Sequence, residues 1–208
     1  MDKAAQGLID VLSKRNICGT YCKDAASAVK ELLSIIPQSA SIGISGSQTL
    51  GELDIVNKLE ARGNKVFNQY KSGIDKEESL KLRQLGVSAD YYLTSANAVS
   101  YNGELVFFSG YGHRIAGISN AKNVIVVCGI NKLATDINAA LARAREYATP
   151  LNCKRLNWNS ACLDKGLCRR EVCLFPEYKR MCCQVLIIEA EVTPSRLKFI
   201  LVGESLGF

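Results

Sequence analysis

The stretch CLDKGLCRREVCLFPEYKRMCC, residues 162–183, carries five of the chain's nine cysteines. Thiolates are soft ligands, suited to Zn²⁺ and iron–sulfur clusters and poorly suited to Mg²⁺ or Ca²⁺. Cys162, Cys168, Cys173 and Cys182 are separated by five, four and eight residues, and Cys183 adjoins the last. Zinc ribbons and ferredoxins use cysteine pairs two residues apart, and the chain has none. Four thiolates in one irregular segment can still close around a metal. Between Cys153 and Cys183, Lys154, Arg155, Lys165, Arg169, Arg170, Lys179 and Arg180 outnumber Asp164, Glu171 and Glu177. That positive surplus would offset the negative charge of a four-thiolate centre. The expected cofactor is an iron–sulfur cluster, a four-iron cluster first, with Zn²⁺ as the alternative. Its expected ligands are Cys162, Cys168, Cys173 and Cys182. Reduced thiols packed as small hydrophobes are the plain alternative, and Cys128, inside an apolar run, reads as core.

A second set of residues suits anions. GISGSQTL puts Gly43, Ser45, Gly46, Ser47 and Thr49 at a strand-to-helix junction, where free backbone N–H groups and hydroxyls can cradle phosphate or carboxylate. No lysine follows as in a Walker loop, and no G-x-G-x-x-G occurs, so neither nucleotide fingerprint is matched. The same turn also serves as an ordinary capped helix start, with Ser47 or Thr49 as the cap. His113, the only histidine, sits in SGYGHRIAG beside Arg114, an anion clamp among glycines that permit close approach. Lys132 follows VVCGIN at a strand's carboxyl end, where open α/β sheets bind ligands. Glu104 stands just past a hairpin turn, as a base, a nucleophile or merely a solvated charge. No nucleophile elbow of the G-x-S-x-G kind supports a serine hydrolase.

The rest of the chain must position these groups. Its 208 residues, 48% hydrophobic with a net charge of +6, suit a single domain over 1–208 with its own core. MDKAAQGLIDVLSKRN carries charges throughout, so no signal peptide is expected. No run approaches the ~18 apolar residues of a membrane span. The expected location is the cytoplasm, where thiols stay reduced. No recognition helix or aromatic RNA-binding pattern accompanies the basic residues, so nucleic acid is not an expected partner. A homo-oligomer is left open.

The first 36 residues read as two helices, the second stopped before Pro37, with NICGTYCKD as a turn between them. SIGISG reads as a strand, SQTLGELDIVNKLEARG as one helix closing on Gly63, KVFNQY as a strand and DKEESLKLRQLG as a charged helix. ADYYLTSA is a further strand. AVSYNGELVFFSG is a hairpin turning at Asn102-Gly103, and NVIVVCG is a strand buried on both faces. KLATDINAALARAREYA reads as a helix stopped before Pro150. QVLIIEAEV and RLKFILVGE are two strands joined at Thr193-Pro194-Ser195. Alternating strands and helices predict an α/β fold with a mostly parallel sheet flanked by helices. Residues 151–183, which lose periodicity, read as a Cys-rich insertion within that one domain.

GISGSQTL, ADYYLTSANAVSYNGELVFFSGYGHRIAG, VIVVCGINKL, TPLNCKRL, the cysteine segment and ILVGESLGF, in that order, resemble the LUD (lactate-utilisation) domain family. The resemblance runs from about residue 3 to the C-terminus and points to a stand-alone member. It implies a fold shared with ribose-5-phosphate isomerase, coenzyme A transferases and 5-formyltetrahydrofolate cyclo-ligase, with the ligand at the strand ends. It also implies a part in oxidising L-lactate or a related 2-hydroxy acid beside an iron–sulfur or flavin oxidoreductase partner. The family's polar cluster falls on Thr94, Ser95 and Asn97, and its acidic hairpin residue on Glu104. Its glycine–arginine turn falls on Gly112 and Arg114, its Asn-Lys on Asn131 and Lys132, and its Pro-Leu-Asn on Pro150 to Asn152. The family has Asn in place of His113, and often a closer cysteine pair in place of Cys168 and Cys173. The expected ligand is thus a small anionic metabolite. The cysteines serve electron transfer in one reading. In another they form a structural knot beside a transferase-like site using Glu104 or Lys132. In a third the chain is a non-catalytic accessory subunit.

Overall fold

In NVIVVCG every residue after Asn123 is buried and apolar side chains project to both sides, so the segment has to lie inside a sheet covered on each face. The computed structural model describes residues 3–164, 168 and 170–208. Along them run α1 (Lys3–Ser13), β1 (Cys18–Cys22), α2 (Ala25–Ile35), β2 (Ser41–Ile44), α3 (Gln48–Glu52), α4 (Ile55–Ala61), β3 (Lys65–Phe67) and α5 (Lys76–Gly86). Then follow β4 (Tyr91–Thr94), β5 (Ala98–Ser100), β6 (Leu105–Ser109), α6 (His113–Asn120), β7 (Asn123–Gly129), β8 (Leu133–Ala134), α7 (Ile137–Arg143), α8 (Thr149–Arg155), α9 (Ala161–Asp164), β9 (Gln184–Ile188) and β10 (Leu197–Val202). The predicted α/β architecture is present.

Six strands form a wholly parallel central sheet in the order β1-β10-β7-β4-β2-β3. The two-residue strand period splits its core in two. Val124, Val126, Phe199 and Leu201 face α1 (Leu8, Leu12) and Phe107, while Ile125, Val127 and Ile200 face α2 and α4 (Leu32, Ile55, Leu59). Each of these side chains contributes roughly 1.5–3 kcal/mol by leaving water. A smaller sheet, β8-β5-β6-β9, is built on the antiparallel β5–β6 hairpin. Its turn contains Gly103 at φ 93, a backbone angle that glycine adopts without penalty.

Three local expectations are corrected. NICGTYCKD is no simple turn, because Cys18–Cys22 forms β1, paired in parallel with β10. As an edge strand with only Cys22 buried, it lacks the apolar alternation that would reveal it. SQTLGELDIVNKLEARG is two helices, broken where Asp54 takes a left-handed φ of 50. The helix before Pro150 does not stop there: a widened π-type turn over 144–148 leads directly into α8. Pro150 falls in the first turn of α8, where its missing N–H costs little. The two C-terminal strands exist but do not pair with each other. β9 joins β6 in the small sheet and β10 lies between β1 and β7 in the large one.

Candidate functional site

The carboxyl ends of β2, β4 and β7 lead into Ser45–Ser47, Ser95–Asn97 and Lys132, and these residues line one cleft of about 450 Å³. Arg114, in the first turn of α6, reaches across it. Its Nη1 donates to Asn97 Oδ1 at 3.0 Å and to the Phe108 carbonyl at 3.1 Å, and Nη2 donates to the Gly46 carbonyl at 2.6 Å. Lys132 is 3% exposed, and its Nζ donates to Thr49 Oγ1 and Ser95 Oγ at 2.8 Å and to the Ala96 carbonyl at 3.3 Å. Neither cation has an ion-pair partner among the described residues. Both are held by neutral dipoles alone, which leaves their charge available to an anion.

Lys132 is drawn down to about 8, chiefly by burial, with the charges of Arg114 and Arg143 assisting and Cys128 and Glu52 opposing. Burial likewise lowers Arg114. Burial also depresses His113 to about 4, helped by Arg83 and Arg114, so the ring is neutral near pH 7. Its Nε2 lies 3.3 Å from Tyr70 Oη, and Nδ1 is buried without a partner. Arg83 and Arg155 add two further cations to the wall. Among the described residues, the only acidic one lining the cleft, Asp54, is already paired with Lys58 at 2.8 Å. Tyr70, Tyr111 and Trp158 supply an aromatic rim, with Tyr111 and Trp158 edge-to-face at 5.8 Å.

Of the residues singled out in the sequence, Ser45, Gly46, Ser47, Ser95, Asn97, His113, Arg114, Lys132 and Asn152 line this cleft. Thr49 and Thr94 stand one bond behind it, Thr49 on Lys132 and Thr94 Oγ1 at 2.7 Å from Ser45 Oγ. Ser47 caps α3 through the Leu50 N–H, but α3 has only five residues, so side-chain cations carry the anion attraction here. Four residues have other duties. A side chain at Gly43 would collide with the Gly86 carbonyl at 1.9 Å, so that glycine lets β2 approach α5. Gly112 takes φ 81 before α6, and Asn131 holds Leu206 and Gly207. Glu104 lies outside the cleft: its carboxylate accepts from Ser100 Oγ and stands 3.6 Å from Arg15, in the turn that follows α1. Sequence reasoning passed over Tyr70, Arg83 and Trp158 and counted Arg155 only toward the thiols; no motif joins these four residues.

The cysteines gather elsewhere. Cys162, Cys168, Cys173 and Cys182 line a second, small cavity, and Cys153 of α8 joins them there. Cys183 does not line it, and its Sγ donates to the Arg180 carbonyl at 2.9 Å. Arg170 and Arg180, both in the charge count, stand around the thiols together with Arg145, which that count did not include. All nine cysteines are free. Burial pushes the Cys153 thiol up to about 12. Among the described residues no three His, Cys, Asp or Glu side chains are arranged as a metal site. Lys165 and Arg169, counted in the basic surplus, lie outside the described residues.

A wholly parallel α/β sheet with a cation-lined cleft at its strand ends places the chain among open-sheet α/β folds. Its family follows from the sequence: the LUD domain model matches residues 5–202, and the chain belongs to that family. A DUF162 family protein of Deinococcus radiodurans has a similar structure, with a TM-score of 0.56 at 12% identity over 97% of both chains, a likeness in fold alone. Ribose 5 phosphate isomerase A of Neisseria gonorrhoeae overlaps more loosely, with a TM-score of 0.35 and 15% identity over 53% of this chain and 52% of its own. No curated protein matches the chain in sequence. No helix among the described residues is long and apolar enough to cross a membrane.

Proposed function

We propose that this LUD-family protein is a component of 2-hydroxy-acid metabolism that binds a small anionic metabolite, of the L-lactate or pyruvate kind, in the strand-end cleft. One observation carries the reading: Arg114 and Lys132 are both held in the cleft by neutral groups, with no carboxylate ion-paired to either among the described residues. An anion would enter with its charge against Arg114 and Lys132 and its remainder toward Tyr111 and Trp158. The cleft exceeds a three-carbon acid, leaving room for a second reactant or a partner's group. The cytoplasm is the matching compartment, since nine unbridged thiols persist where reductants are plentiful. Titration calorimetry with L-lactate, pyruvate and inorganic phosphate tests this. Binding by wild type that Arg114→Ala weakens at least about tenfold supports it, the loss of a charge-assisted contact being worth roughly 1.5–3 kcal/mol. Equal heats for the two proteins would defeat it.

The thiols motivate a second reading. Five cysteines around one cavity, ringed by three arginines, have the donor chemistry of a soft-metal centre, iron–sulfur or zinc. A cluster there would carry electrons between the bound acid and an iron–sulfur or flavin oxidoreductase, whereas zinc would clasp the fold. In the transferase-like alternative, with its kinship to coenzyme A transferases and the cyclo-ligase, the chemistry would fall to Lys132, because Glu104 faces Arg15 and not the cleft.

A further inference from the structure

We infer that the thiol cavity is a site for one soft divalent cation of the Zn²⁺ class, that Cys153 belongs to its ligand set, and that loading it fixes one wall of the anion cleft. This rests on the soft-metal reading of the thiols and narrows it. The cavity has a volume of about 20 Å³. That is close to the ~10–15 Å³ that a single water occupies on the same measure. One ion enclosed by thiolates fits such a space. A four-iron cluster with its sulfides would have to force the walls apart. A closed, tetrahedral four-thiolate site is the usual structural form for zinc.

The donors come from three places: Cys153 on α8, Cys162 on α9, and Cys168, Cys173 and Cys182 on the chain that returns to β9. Only Cys153 sits on the helix that continues from α7, so its coordination would tie the returning chain to the body of the fold. Closure requires the thiols to turn inward, and each one that ligates gives its proton to solvent. The negative charge that four thiolates leave around a dication meets Arg145, Arg170 and Arg180, which stand at the cavity already.

The link to the cleft is direct. Thr149 and Met181 line both spaces, and α8 presents Asn152 and Arg155 to the cleft on either side of Cys153. Trp158, the only tryptophan, donates from Nε1 to the Lys179 carbonyl within the same returning chain. Drawing Cys153 and Cys182 onto one ion therefore immobilises the face that Asn152, Arg155, Met181 and Trp158 turn toward the anion.

The test uses the full chain, reduced and stripped of metal, titrated with Co²⁺ and Zn²⁺ without oxygen. One Co²⁺ per chain should bind with the visible spectrum of a tetrahedral thiolate site, with Zn²⁺ displacing it and Trp158 fluorescence changing in step. Cys153→Ser should weaken Co²⁺ at least about tenfold, while Cys18→Ser and Cys183→Ser leave it unchanged. Inorganic phosphate should bind the Zn²⁺-loaded protein at least about fivefold more tightly than the stripped protein. If Cys153→Ser does not fold, alkylation of wild type decides: Zn²⁺ should protect Cys162 and Cys168 and leave Cys18 and Cys183 reactive. Four irons with sulfide per chain after anaerobic reconstitution would overturn the single-ion site but leave the metal reading standing. Absence of Co²⁺ binding would overturn both. Phosphate binding to the stripped protein tests the anion cleft separately.

Discussion

Lys132→Met tests whether a buried ammonium waits in the cleft for an anion. The substitution keeps the length of the side chain and removes its charge. In the folded protein Lys132 titrates near 8 against an ordinary 10.5, chiefly through burial. At about 1.4 kcal/mol per pH unit, that interval amounts to roughly 3 kcal/mol by which folding disfavours the charged form. The sign follows from proton counting. Between about pH 8 and 10.5 the unfolded lysine holds a proton that the folded one has released, so wild-type stability rises with pH across that window. Below about pH 8 both states are protonated and the cost is present in full.

Lys132→Met has no such window. The hydroxyls that lose the ammonium can still use each other, because Ser95 Oγ lies 3.3 Å from Thr49 Oγ1 and Thr49 Oγ1 lies 3.2 Å from the Leu206 carbonyl. Near pH 7 the variant should therefore unfold within about 2 kcal/mol of wild type, the lost hydrogen bonds being offset by relief of the buried charge. Urea unfolding of both proteins from about pH 7 to 10.5 measures the difference and cancels the titration of other groups. Wild type should gain up to roughly 3 kcal/mol on the variant over that range. Saturating phosphate should push the gain to higher pH, since a bound anion stabilises the charged amine. A stability difference that stays flat with pH would refute the reasoning.

Arg114→Ala should weaken phosphate or pyruvate binding at least about tenfold by calorimetry, and it should also destabilise the fold, because Asn97, Phe108 and Gly46 all bond to that guanidinium. His113, near 4 in the folded protein, should leave anion affinity without an inflection between about pH 5.5 and 7.5. His113→Asn should change that affinity less than about threefold, and an inflection near the ordinary histidine value would contradict the assignment. Glu104→Gln should lower stability by about 1 kcal/mol in urea through its ties to Ser100 and Arg15, and leave anion binding as it was.

The sequence announced whichever elements bury two faces or carry a turn signal. NVIVVCG and RLKFILVGE are apolar on every buried position, and Asn102-Gly103 dictates a hairpin. The edge strand Cys18–Cys22 escaped notice because its side chains mostly meet solvent, so nothing in its pattern had to alternate. The helix that runs through Pro150 escaped for a different reason. Proline forbids only the regular ladder, and the widened turn over 144–148 removes that ladder just before the ring arrives.

The cleft was legible in part for a related reason. Residues that follow strand ends in one continuous motif, such as Ser45–Ser47 and Lys132, converge because parallel strands end together. Arg114 was visible because glycines flank it, although its partners Gly46, Asn97 and Phe108 come from three other segments. Glu104 shows the limit of such reading. Its place after a hairpin turn fixes where the backbone goes but not which neighbour claims the carboxylate, and the turn after α1 supplies Arg15. Cys153 is the converse case: it falls at the start of the Cys-rich insertion and is not among the expected ligands, yet α8 carries it to the same cavity. Chemistry that depends on a group's own segment can be read from sequence. Chemistry that depends on which segments fold against each other needs the three-dimensional arrangement, and in this protein the thiol cavity and the strand-end cleft meet on the shared wall of Thr149 and Met181.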